Sequence, residues 1–354
     1  MNRKHRLNSL RKRLKQTGNE AILISNDENR RYISGFTGSA GYLLISAETS
    51  IIATDFRYNE QAMREAEGFE LRQITGEISS WFPKLMNGIG IRELSFESSD
   101  LTYDLFQQFS TSVAGDTMTL KPVKGIVEAM RAIKDDLELA AIEKAVAVTD
   151  KAISYAVEIL RPGVTEISLA RDIECYIREN GGDSVAFDII VASGSNSSLP
   201  HAHPTLKTIS SGEPVVIDMG ARVDGYVSDL TRTLCPGKTD ELFNKIYNVV
   251  LDAQSRAEQQ ICSGITGSEA DNISRTVIQE AGYGNNFGHG LGHGIGLAVH
   301  EEPRLGPNSK DVLVNDMVFT IEPGIYLPGW GGVRIEDSVV MKQNKIIVLS
   351  NSSK

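Results

Sequence analysis

The chain has 354 residues, 41% hydrophobic and 23% charged, with a formal net charge of −10. That length gives room for two domains with separate cores, and the acidic balance leaves no basic surface for nucleic acid. No apolar run reaches the roughly 20 residues of a membrane span, and Cys175, Cys235 and Cys262 are too scattered for a disulfide frame or zinc knuckle, as in reduced cytoplasmic proteins.

The basic opening stretch, MNRKHRLNSLRKRLKQTG, lacks the apolar segment of a secretory signal. Leu7, Leu10 and Leu14 mark the apolar edge of a first helix, with a transit peptide as the alternative. Strand-like runs at Ala21–Ser25, Tyr42–Ser46 and Ser50–Ala53 alternate with helical stretches such as Arg57–Glu67. This wording predicts a small α/β domain, with helices packed on a sheet. Lys121–Lys124 (KPVK) reads as a linker, so the chain divides into residues 1–125 and 126–354.

The second part opens with Glu128–Leu160, which has the apolar periodicity of long amphipathic helices. Pro162-Gly163 ends it, because proline cannot donate to the helical ladder and glycine accepts left-handed geometry. An internal echo follows. Ala170, Ile173, Ile177, Gly182 and Phe187 recur 100 positions later as Ala270, Ile273, Val277, Gly282 and Phe287. A repeat of this kind predicts two similar halves folded face to face around a site, although so few matches also arise by chance.

Pro214–Met219 is an apolar strand with one charge, Asp218. Asp224-Gly225 signals a hairpin, and Tyr226–Leu234 returns as the partner strand. A two-residue loop there sets Asp218 opposite Thr231 and puts Asp229 on the same face, a diagonal neighbour about 7–8 Å away. A one-residue slip would separate the two acids. The alternative is a solvent-facing acid on each strand, which the apolar neighbours of Asp218 disfavour.

Gly288–His300 (GHGLGHGIGLAVH) holds three of the six histidines. Its spacing fits neither a phosphate loop nor a dinucleotide fingerprint, so glycine here reads as permitting close backbone approach. His293 is the ligand candidate, and His289 and His300 are candidate donors to a carbonyl or oxyanion. Histidines satisfied within a core are the alternative. Glu322 closes the strand Met317–Ile321, and Arg334 and Glu336 share one face of another strand, an arrangement an exposed salt bridge would also explain. Together Asp218, Asp229, His293, Glu322 and Glu336 form a hard, oxygen-rich set. Such a set suits two divalent cations of the manganese, iron or cobalt type, able to hold one hydroxide between them.

At these residues the chain resembles the pita-bread metallopeptidases, specifically the Xaa-Pro group of aminopeptidase P and prolidase. Spacings of 11 residues from Asp218 to Asp229, 29 from His293 to Glu322 and 14 from Glu322 to Glu336 are similar to that family's. Tyr32–Ser46 and Thr54–Ala62 resemble its N-terminal domain, slightly closer to aminopeptidase P. The resemblance implies an α+β fold: a catalytic pita-bread domain with pseudo-twofold halves over 126–354, after a smaller α/β domain over 1–125. It implies a hydrolase cleaving the Xaa-Pro bond at the N-terminus of peptides, with Xaa-Pro dipeptidase action as the alternative. Asp218 and Asp229 would serve one metal and His293 and Glu322 the other, with Asp229 and Glu336 bridging. His201, His289, His300 and Arg334 match substrate-site positions, whereas His203 does not hold the spacing.

The resemblance further implies two divalent ions, manganese foremost with cobalt, iron or zinc possible, and a cytoplasmic homodimer acting on peptides with proline second. Glu322 would carry a proton to the leaving nitrogen, and His201 and His300 would stabilise the oxyanion. Ala298 departs from relatives that often carry an acid there, outside the ligand set. Methionine aminopeptidase shares the ligands but usually lacks the N-terminal domain, creatinase lacks the metal set, and a peptide- or histone-binding module would show degenerate ligands.

Overall fold

In the computed structural model, which describes residues 3–114 and 118–354, the chain forms two units, residues 1–131 and 132–354. Strands β1 (Ala21–Ile24), β2 (Tyr42–Ser46), β3 (Ser50–Thr54), β4 (Glu70–Gln73), β5 (Glu93–Glu97) and β6 (Thr119–Val123) form the sheet of the first unit, in the order β4-β3-β2-β1-β5-β6. β1 runs antiparallel to β2 and parallel to β5. Side chains on both faces of β1 are buried, Leu23 as well as Ile22 and Ile24. That is why these strands read as continuous apolar runs rather than alternating ones. Leu10 and Leu14 of the first helix, Arg3–Gln16, are buried as the leucine spacing predicts.

The linker reading of Lys121–Lys124 is corrected. Lys121, Pro122 and Val123 lie in β6, paired in parallel with β5. β6 is an edge strand, a position in a sheet where proline, lacking an N–H, is tolerated. The periodic stretch Glu128–Leu160 is helical in two pieces. A short helix, Glu128–Arg131, is followed by a break and then by Asp136–Ile159. Asp135 causes the break: its side chain accepts the amides of Leu137 and Glu138 while Glu138 reaches back, a capping box that starts a new helix.

The echo in the second unit is structural. Thr165 and Thr266 cap two helices of 14 residues, Glu166–Glu179 and Gly267–Glu280. Gly163 and Gly264 precede them with φ of 97° and 101°. A longer helix precedes each, Asp136–Ile159 and Glu241–Gln260. Behind the first pair, β8 (Ile190–Ser193), β9 (Val215–Met219) and β12 (Leu230–Leu234) form a sheet in the order β12-β9-β8. β10 (Ala221–Val223) and β11 (Tyr226–Val227) continue that hairpin, with β7 (Ser184–Val185) beside β10. In the second half, β13 (Gly292–Gly294), β14 (Glu301–Leu305), β15 (Val318–Ile321), β18 (Asp337–Lys342) and β19 (Lys345–Val348) form a five-stranded sheet. β16 (Gly324–Leu327) and β17 (Gly331–Arg334) pair beside it. Among the described residues no helix is long and apolar enough to cross a membrane.

Candidate metal centre

Asp224 and Gly225 turn the hairpin with φ of 52° and 84°, so β9 and β12 meet in the register that a two-residue loop dictates. Thr231 pairs with Asp218, and Asp229 lies just before β12. Glu336, between β17 and β18, anchors its amide on the Thr231 carbonyl at 3.1 Å and its Oε2 on the Thr231 hydroxyl at 2.6 Å. One carboxylate oxygen each from Asp218, Asp229 and Glu336 lies within 4.8 Å of the other two. Asp229 and Glu336 are buried.

The glycine-rich stretch brings His293 to the same place. A Cβ on Gly292 would collide with the Thr320 carbonyl oxygen, and one on Gly294 with that of Glu302. Only glycine lets β13 lie this close to its neighbours. His293 Nε2 then sits 3.4 Å from Glu322 Oε1 and 3.7 Å from Asp229 Oδ2. Thr320 orders this corner, accepting the His293 amide at 3.1 Å and donating to Glu322 Oε1 at 3.2 Å.

Arg334 lies across the other side, nearly fully buried. Its Nη2 donates to Asp218 Oδ2 at 2.7 Å, its Nε to Thr231 Oγ1 at 3.1 Å, and its Nη1 to the Tyr326 hydroxyl at 2.9 Å. The Tyr326 hydroxyl in turn meets His289 Nε2 at 2.9 Å, while His289 Nδ1 meets the Gly290 carbonyl at 2.8 Å. Both ring nitrogens of His289 are thus engaged within the protein. A cavity of about 510 Å³ opens over the cluster, and His201 and His300 stand exposed in its lining with the apolar Phe187, Ile190 and Val299. The His300 ring is 4.2 Å from that of His293. His203 is not among the lining residues.

Burial raises the pKa of all four carboxyls. Asp229 and Glu336 rise well above the carboxylate range because each also faces neighbouring acids. Glu322 rises to about 7, and Asp218 rises against the opposing charge of Arg334. His293 falls to about 4, through burial first and then the nearby His300. It is neutral at pH 7, so its approaches to Glu322 and Asp229 are not ion pairs. Its Nδ1 lies 3.1 Å from the Gly294 carbonyl, which assigns the proton there and leaves the Nε2 lone pair facing carboxylate oxygens. Asp218 Oδ1 is buried with no hydrogen-bond partner. Lone pairs facing lone pairs in a buried cluster call for a cation between them. Four carboxylates and one imidazole match a hard divalent ion, so the residues present fit a metal.

Residues 140–343 match the model of metallopeptidase family M24, and residues 6–133 match the creatinase/prolidase N-terminal domain. The chain belongs to family M24. Divalent metal ions are therefore its cofactor class, and it is a hydrolase. This M24 chain is 39% identical over 330 residues to the Xaa-Pro dipeptidase of Pyrococcus horikoshii, covering 92% of this chain and 91% of that protein. Its fold superposes on the Xaa-Pro dipeptidase from Bacillus anthracis with a TM-score of 0.96 at 42% identity, covering 100% and 99% of the two chains. It superposes on the X-Pro aminopeptidase from Thermotoga maritima with a TM-score of 0.87 at 37% identity, covering 97% and 98%.

All five candidate ligands of this M24 chain line one cavity, with His201, His289, His300 and Arg334. Sequence reasoning missed Tyr326, which joins Arg334 to His289, and Thr231, which joins Arg334 to Glu336. A signal existed for Thr231: the hairpin count sets it opposite Asp218, hence on the face of the site. Tyr326 carried none, being an ordinary aromatic residue in a strand.

Proposed function

We propose that this chain hydrolyses the bond between an N-terminal residue and a following proline, using two divalent cations, manganese foremost. The convergence of Asp218, Asp229, His293, Glu322 and Glu336 beneath one cavity carries the reading. These five residues would hold the metals. When bound, such ions polarise a scissile carbonyl and bring the pKa of a coordinated water near neutrality. Glu322 Oε1 takes the proton from the attacking water and passes it to the proline nitrogen. His201 and His300, exposed at the cavity, donate to the developing oxyanion. Arg334 fixes Asp218 and, through Tyr326, His289, which bounds the substrate pocket.

The proline preference is supported by two features. A tertiary amide nitrogen has no hydrogen to donate, so the pocket need offer it no acceptor. Phe187, Ile190 and Val299 give the cavity an apolar wall suited to a carbon-rich ring. The first-domain motifs favour aminopeptidase action on longer peptides. Dipeptidase action is the second reading, favoured by relatives so named at 39% and 42% identity. Residues 126–354 are the catalytic domain in this reading. Three free cysteines support a cytoplasmic setting, and the family resemblance supports a homodimer. The test offers an Xaa-Pro dipeptide, an Xaa-Pro-Yaa tripeptide and a Met-Ala-Ser peptide to the enzyme with added manganese. The tripeptide should be cleaved; cleavage of the third substrate alone would overturn the proline assignment.

A further inference from the structure

Behind Glu336, away from the cavity, a buried polar network reaches a segment that lines no part of the site. Arg232 of β12 is fully enclosed, and every nitrogen of its guanidinium donates. Nη1 bonds the carbonyl oxygens of Thr231, at 3.0 Å, and of Glu336. Nη2 bonds Asp337 Oδ1 at 2.7 Å. The remaining acceptors come from Ser352 and Ser353: the Ser353 carbonyl meets Nε, and the Ser352 carbonyl and hydroxyl meet Nη2, all at 2.9 Å.

The segment carrying those acceptors is itself fastened. Asp150, on helix Asp136–Ile159, accepts the amides of Asn351 at 2.8 Å and Ser352 at 3.0 Å. Lys354 Nζ lies 2.9 Å from the second oxygen of Asp337 and donates to both oxygens of Glu258, at 2.8 and 2.9 Å. Two cations and two carboxylates thus interlock, with Gln254 donating to Asp337 at 2.9 Å. Without residues 352 and 353, a buried guanidinium would lose three acceptors and would have to rehydrate or turn. Either movement disturbs the backbone at Thr231 and Glu336, whose side chains meet at 2.6 Å inside the site.

We propose that Ser350–Lys354 is a buttress of the metal centre, acting through Arg232 to hold Glu336 and Thr231 in ligating position. The inference rests on the assignment of Glu336 as a metal ligand. Arg232 and Asp150 are positioning residues in this scheme, and Asp150 lines no part of the cavity.

The test is manganese affinity, measured by titration calorimetry on the metal-stripped full-length protein, alongside amide exchange at Glu336–Asp337 and the melting temperature. Asp150→Ala should weaken manganese binding about 3–10-fold and Arg232→Lys about 10–100-fold, the range for residues that orient metal ligands. Amide exchange at Glu336–Asp337 should quicken in both. Ile177→Val, a core change in the same unit, should lower the melting temperature and leave affinity untouched. Asp150→Ala and Arg232→Lys proteins that melt earlier yet bind manganese as the wild type does would overturn the buttress. Glu336→Gln, run in parallel, separates the two failures: manganese affinity retained there would sink the ligand assignment itself.

Discussion

Replacing Asp229 by asparagine should stabilise the metal-free protein and destabilise the metal-loaded one. Oxygens of Asp218, Asp229 and Glu336 lie within 4.8 Å of one another. Two unit charges at that separation repel by about 3 kcal/mol at an effective dielectric of about 20. Protons blunt this in the metal-free cluster, because burial and mutual repulsion raise the Asp229 and Glu336 pKa values. At pH 8 the metal-free Asn variant should therefore gain about 1–3 kcal/mol, at about 2–4 °C per kcal/mol for a unit of this size. A carboxyl whose folded pKa exceeds its unfolded one holds its proton more tightly in the native state. Wild-type metal-free protein thus becomes relatively more stable as pH falls, and the variant's advantage shrinks by pH 5. With metal at 100-fold its Kd, the wild type gains about 2.7 kcal/mol per site and the variant little. Turnover should fall at least about 10³-fold, the loss of several kcal/mol of transition-state stabilisation. Thermal unfolding in chelator and in manganese, at pH 5 and pH 8, reads the reversal. A variant less stable in both states, or one that keeps its metal and its turnover, would refute the electrostatic reasoning.

His300→Ala should cut kcat about 10²-fold, the cost of one oxyanion donor, with metal stoichiometry unchanged by elemental analysis. His289, lowered from 6.5 to about 4 by burial and the charge of Arg334, is held neutral in the folded state. Its contribution is complete above pH 6.5 and lost as pH falls toward 4. The stability difference between wild type and His289→Gln, followed by denaturant unfolding, should shrink by up to about 3 kcal/mol over that span. Glu166, fully buried, accepts from Ser193 N and Oγ, Thr205 N and Oγ1, and Asn196 Nδ2, tying both ends of the loop that carries His201. Glu166→Gln should cost about 2–4 kcal/mol in unfolding experiments and lower kcat more than it raises KM, with metal affinity unchanged.

What the sequence disclosed about this molecule depended on the reach of each signal. The β9–β12 register was readable because a two-residue turn and a period-2 strand leave one answer, and Asp218 against Thr231 is that answer. Asp218 stood out because a lone acid in an apolar strand contradicts its own surroundings, and Asp229 followed from the register that sets it on the same face. Pro122 between lysines gave the opposite impression. Its neighbourhood resembles a linker, and only the non-local pairing of β6 with β5 makes it an edge strand. The helix boundary at Asp135 was not legible, because apolar periodicity runs on across a capping box.

Tyr326, Thr231 and Arg232 mark the deeper boundary. Each is ordinary among its sequence neighbours, and each acts through partners distant in the chain: Tyr326 on His289, Thr231 on Glu336, Arg232 on Ser352 and Ser353. Ligands must be chemically conspicuous, since a metal accepts few side-chain types. Groups that only hold a ligand still have to satisfy geometry, and many residues donate or accept one hydrogen bond equally well. A metal centre therefore declares its ligands in sequence and conceals their supports, so the supports are where the coordinates add most. Changes at Tyr326, Thr231 or Arg232 should accordingly act on metal affinity and substrate geometry without removing a single ligand atom.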